Sequence, residues 1–140
     1  MEMKLSRAIC VIALVFGASA HAETNQVVGY QCLKLDTRAL GISSEDAWAG
    51  RGFPSVFSGP SPTSAKIGTQ IGLVYAKWPL IRSNGFIQIL RANGQIGWLR
   101  DEELLPLRKA DGSVGGCRLA WNADHRVIRS QLDPGVSVGQ

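Results

Sequence analysis

The chain reads as an all-β domain. Short β-branched and aromatic runs follow one another between residues 53 and 107, and turn-forming residues separate them. One pair of runs is joined through Asn93-Gly94, the dipeptide of a tight hairpin. Sixteen glycines and six prolines among 140 residues supply the turns and argue against a helical bundle. Apolar residues make up 45% and charged residues 19%, which suits a packed core and excludes a chain disordered by composition. The length fits one domain.

Residues 1–22 read as a leader. Lys4 and Arg7 precede the uncharged run Ala8–Ala18, and Ala20-His21-Ala22 places small residues at both positions a signal peptidase reads. This pattern predicts a secretory signal peptide cleaved between Ala22 and Glu23. The run is shorter than the ~20 apolar residues a spanning helix requires. No later segment is long and apolar enough, so the mature chain is expected to be exported, periplasmic or extracellular, with no membrane span. No lipid-attachment motif precedes Cys10. The mature chain, 23–140, has 118 residues with 13 basic and 10 acidic side chains, a net charge of +3. Only Cys32 and Cys117 remain, and in an oxidising compartment they are expected to pair.

Three zones follow. Residues 23–52 form an N-terminal extension, in which the alternation of Gln26–Leu35 predicts a strand. Ser43 is placed to cap a short helix through Trp48, which Gly50 and Gly52 end. Residues 53–109 form the regular unit. Phe53–Phe57 is extended, Ser58–Ser64 is a turn cluster, and Ile71–Trp78 is a strand stopped by Pro79. Gly85–Arg91 and Gln95–Arg100 are the arms of the Asn93-Gly94 hairpin. Asp101–Leu104 starts as a helical turn, with acidic residues at its N-terminal end, and Leu105–Leu107 closes the unit. Residues 110–140 form a C-terminal extension with an apolar patch at Leu119–Trp121 and a flexible tail from Asp133. Five short strands at hairpin spacing predict a small barrel or sandwich.

The order of motifs in residues 53–107 resembles that of bacterial Src-homology-3 domains. The matching residues are Ser58-Gly59-Pro60-Ser61, Ile67-Gly68, Asn84-Gly85-Phe86-Ile87, Asn93-Gly94-Gln95-Ile96-Gly97-Trp98-Leu99 and Asp101-Glu102-Glu103-Leu104. Two positions depart from the pattern: Phe57 stands where such domains carry an arginine, and Pro79 interrupts the aromatic strand. The resemblance implies a small SH3-like barrel, here with N- and C-terminal extensions that the Cys32–Cys117 bond would join. It also implies a noncatalytic binding module that recognises cell-wall peptide or a protein partner.

The inventory of reactive groups argues against an enzyme. His125 is the single histidine of the mature chain, and its neighbours Asp124 and Arg126 are adjacent in sequence, where no triad geometry arises. It reads as a solvated surface residue. A small hydrolase would need Cys32 or Cys117 as a free thiol beside His125. No nucleophile elbow or phosphate-binding loop occurs, and neither a zinc set nor a calcium loop can be assembled. No cofactor is expected. A charge of +3 without a recognition motif excludes nucleic acid as the expected partner. Surface recognition remains. Trp78 at a strand end, Phe86 alternating with Ile87, and the basic Arg82 and Arg91 are the candidate binding residues, suited to a peptide carboxylate or an anionic polymer. Trp98 is expected in the core. The second function weighed is an interaction or inhibitor subunit acting on another exported protein.

Overall fold

A computed structural model describes residues 25–124 and 126–138. The expected leader, 1–22, and His125 lie outside the described residues. The fold is all-β, as the sequence predicts. It consists of antiparallel strands arranged in two sheets, plus one short helix. None of the described helices is long and apolar enough to cross a membrane.

The strand expected over Gln26–Leu35 is two strands. β1 (Asn25–Val27) and β2 (Tyr30–Leu35) are parted at Gly29, whose φ of 77° is a left-handed conformation that glycine adopts without a Cβ clash. The break sends the two strands into different sheets. The helix α1 (Ser44–Trp48) starts as expected at Ser43. Ser43 Oγ accepts the Asp46 N–H at 3.1 Å, while the Ser43 N–H donates to Asp46 Oδ2 at 3.3 Å, a reciprocal cap.

The strand expected over Ile71–Trp78 is shorter, Val74–Lys77. β3 (Ser55–Phe57) pairs with β4 (Lys66–Thr69), and the chain then turns through Gln70–Leu73 before β5 (Val74–Lys77). Gly72 takes φ of 75° in that turn, and the Gln70 side-chain amide donates to the Leu73 carbonyl at 2.8 Å. β6 (Arg82–Ser83) and β7 (Phe86–Leu90) are joined by Asn84-Gly85, with φ of 51° and 77°. This is the primed turn that matches strand twist. β8 (Ile96–Arg100) returns after Asn93-Gly94. A 3-10 turn, Asp101–Glu103, leads into β9 (Leu104–Pro106), and the hairpin β10 (Cys117–Trp121) and β11 (Val127–Leu132) completes the chain.

The larger sheet runs β4-β3-β8-β7-β5-β2-β9, with β6 on the free part of β7. The smaller runs β1-β10-β11. β2, from the 23–52 segment, is thus hydrogen-bonded between β5 and β9 inside the main sheet.

Strand alternation sorts the side chains into two cores. Leu33, Val56, Val74, Ile87, Ile89 and Leu99 share one face of the main sheet and form the first. Cys32 and Leu90 point the other way, where Val27 and Leu119 of the smaller sheet cover them with Leu107. Buried on both faces at this end, the strands show a weakened polar alternation. Cys32 and Cys117 are disulfide-bonded between the sheets, as the sequence predicts.

One expectation is corrected here. Trp98 is half-buried on the opposite face to Leu99, and Leu99 fills the core. Gly97 faces inward beside it, and a Cβ there would overlap Val56 Cγ1, so the glycine makes room for a valine, not for an indole. In the C-terminal extension, Val136 has several partners. The Val136 N–H donates to the Asp133 carbonyl, Val136 bridges Lys109, and its side chain fills the space above Gly115.

Candidate functional site

The four candidate binding residues separate into three environments. Trp78 follows β5 directly, and its backbone N–H donates to the Gly29 carbonyl at 2.8 Å. Pro79 ends the strand there, so the indole projects from the sheet and is 57% exposed. Arg82 lies on β6, four residues on, and both side chains line one cleft.

This cleft, of about 260 Å³, lies over the end of the main sheet. Leu80, Ile87 and Leu104 form its apolar inner wall, and Leu105 and Val114 stand at its lip with Trp78. Its polar end is an ion pair: Arg82 Nε lies 3.4 Å from Asp101 Oδ2, with both side chains about half exposed. Asp101 is anchored by its own N–H, which donates to the Gly85 carbonyl at 2.9 Å. At this exposure the pair contributes little to stability, on the order of 0–1 kcal/mol. The Arg82 guanidinium has no other partner among the described residues.

Phe86 does not join this cleft. It is 3% exposed, on the opposite face of β7 from Ile87. Its ring meets that of Phe57 edge-to-face, centroids 5.6 Å apart, and the Arg100 guanidinium lies over both rings at 5.4 and 5.7 Å. The alternation argument expected one of Phe86 and Ile87 to be exposed, but the aromatic and cation–π contacts close the second face. Phe86 is therefore a packing residue. Phe57 supplies the partner ring of that contact.

Arg91 lies apart from both, in a depression between the Gln70–Leu73 turn and β11. Its guanidinium donates to Gln95 Oε1 at 2.7 Å and lies across Gly68, where a Cβ would collide with it. It braces the β7–β8 hairpin and does not reach Trp78.

Further along the 3-10 turn, Glu103 is partly buried, and its Oε2 has no hydrogen-bond partner among the described residues. Burial pushes its carboxyl above the ordinary glutamate range, against the pull of Arg100 3.9 Å away. A further apolar cleft, between Leu35, Phe53, Ile71 and Val138, has Lys34 as its charged lining residue.

Among the described residues, no group of three or more histidine, cysteine, aspartate or glutamate side chains is placed to hold a metal ion. The Trp78 cleft presents an indole, aliphatic walls and one pair of opposite charges. Sequence reasoning found Trp78 and Arg82 but missed Leu105, Val114 and the pairing of Asp101. Leu105 was readable as the outward position between Leu104 and Pro106. Val114, in a glycine-rich loop, carried no such signal.

The chain matches no protein-family model, no curated protein and no solved structure.

Proposed function

We propose that the chain is an exported, noncatalytic binding module built like a bacterial Src-homology-3 domain, and that it takes a short cell-wall peptide in the Trp78 cleft. The observation that carries this reading is the exposed Trp78 at the lip of an apolar cleft that ends on the Arg82–Asp101 pair. Cleft size favours a short peptide over a folded partner. A stable protein interface takes about 800 Å² from each side, whereas about 260 Å³ accommodates one or two side chains. Export is supported by the leader pattern in residues 1–22 and by a disulfide, which persists in oxidising compartments.

The test is co-sedimentation with purified cell-wall sacculi. Wild-type protein is expected in the pellet above a control protein, and Trp78→Ala in the supernatant with an unchanged thermal melt. No pelleting, or equal pelleting of both proteins, overturns the reading. Pelleting lost alongside capture of a single exported protein would favour the inhibitor or interaction subunit instead.

A further inference from the structure

Resting on that reading, we infer that Arg82 is the specificity-determining residue of the cleft, and that the peptide it selects ends in an aliphatic residue with a free carboxylate. A guanidinium has five N–H donors in a planar fork. Asp101 engages the Nε side of Arg82, at 3.4 Å, and the remaining donors have no partner among the described residues. An arginine with an open fork at the mouth of an apolar cleft matches a carboxylate, which it binds through two parallel hydrogen bonds. The adjoining walls are Leu80, Ile87 and Leu104, so the group next to the carboxylate meets hydrocarbon. Charge and apolar surface together describe one end of a peptide chain. A mid-chain segment would bring a charge to Arg82 only through an acidic side chain, which carries no aliphatic group beside its carboxylate comparable to a terminal aliphatic residue.

Asp101 has a defined part in this arrangement. It lies at the start of the 3-10 turn, held through its N–H to Gly85, and its carboxylate orients Arg82 when the cleft is empty. The arriving carboxylate faces that same negative charge. Asp101 thus positions the arginine and also weakens the complex by like-charge repulsion.

The experiment uses sacculi as the probe, untreated and after carbodiimide amidation of their carboxylates. Wild-type protein is expected to bind untreated sacculi about tenfold more tightly than amidated ones, the effect of losing a charge-assisted contact. Arg82→Gln is expected to bind both forms at the lower level. Asp101→Asn is expected to bind the untreated form at least as tightly as wild type. Arg118→Gln, an equal charge change at an exposed position of β10, is the control for nonspecific attraction. Equal binding of wild type to both sacculi overturns the inference, as does an equal loss in Arg118→Gln. In either case Trp78-dependent pelleting would still stand, so failure here is distinguishable from failure of the proposed function.

Discussion

Cys32 on β2 and Cys117 on β10 are bonded across the space between the two sheets, their Cα atoms 5.5 Å apart and their positions 85 residues apart in sequence. The bond lies within the second core, with Cys32 buried against Val27, Leu90, Leu107 and Leu119. Among the described residues no hydrogen-bond ladder joins the sheets, although the Val127 N–H of β11 donates across to the Ala92 carbonyl at 2.9 Å. The smaller sheet is therefore held by this core, by that hydrogen bond and by the disulfide.

The double variant Cys32→Ala/Cys117→Ala is expected to lose about 2–4 kcal/mol, because the unfolded chain regains the freedom of a long loop. Denaturant unfolding measures the loss. Limited proteolysis should cut the β10–β11 hairpin before the main sheet. Cleavage first in β7 or β8 would show that the smaller sheet does not depend on the bond. Thiol titration of the native wild-type protein should find no free thiol at either position.

Gly97 is a packing requirement. An added methyl would overlap Val56 Cγ1, and Val56 is fully buried. Gly97→Ala is expected to cost about 1–3 kcal/mol by overpacking. Val56→Ala alone also destabilises, by leaving a cavity. Combined, the two should cost less than their sum, since the new methyl occupies space the valine vacated. Additive losses in a double-mutant cycle would show that the two positions do not compete for this space.

The class of fold was legible because the turns announce themselves. Asn93-Gly94 and the Ser43 cap are local chemistry, and each folds as its residues dictate, whereas the Asn84-Gly85 turn escapes sequence reasoning because Gly85 reads as the start of a strand. What was not legible is which face of each strand is covered. Phe86 and Trp98 could not be placed from alternation, because the second face is closed by residues distant in sequence: Phe57 and Arg100 over Phe86, and β1 and β10 over Cys32 and Leu90. Gly29 and Gly72 were read as strand residues, since a lone glycine leaves the hydrophobic pattern intact while its positive φ redirects the chain. The cleft was half legible. Trp78 and Arg82 lie within four positions of each other, whereas Leu105, Val114 and Asp101 reach it through tertiary folding.

Trp78 and Phe86 should separate in experiment. Phe86→Ala removes a buried ring from Phe57 and Arg100 and is expected to cost about 3–5 kcal/mol. Trp78→Ala removes an indole already more than half in solvent and should change stability by about 0.5 kcal/mol or less. The proposed binding function gives the reverse order: sacculus retention falls for Trp78→Ala and persists for Phe86→Ala at temperatures where that variant is folded. Chemical denaturation and co-sedimentation of the same preparations decide both halves. A large stability loss in Trp78→Ala would make the indole a packing residue.

The pH dependence of stability should carry the mark of Glu103. Its carboxyl titrates above the ordinary glutamate range in the folded protein because burial disfavours the charged form and Oε2 lacks a hydrogen-bond partner. Between the unfolded and folded values, the native state binds more protons than the unfolded state. The Glu103 contribution to stability therefore falls as pH rises through that window, and below it the contribution is at its most favourable. Asp46 and Asp111 have the opposite sign. Hydrogen bonds from Ser43 and Ser113 hold their carboxyls below the usual range, so their contribution is lost as pH falls through the low folded values. Glu103→Gln abolishes the first effect alone. The variant is expected to be more stable than wild type at neutral pH, with the advantage shrinking towards acid as wild-type Glu103 takes up its proton. Thermal melts of both proteins from pH 3 to 8 give the difference curve. A flat curve, or one that rises towards acid, would show that burial of Glu103 does not disfavour its charge.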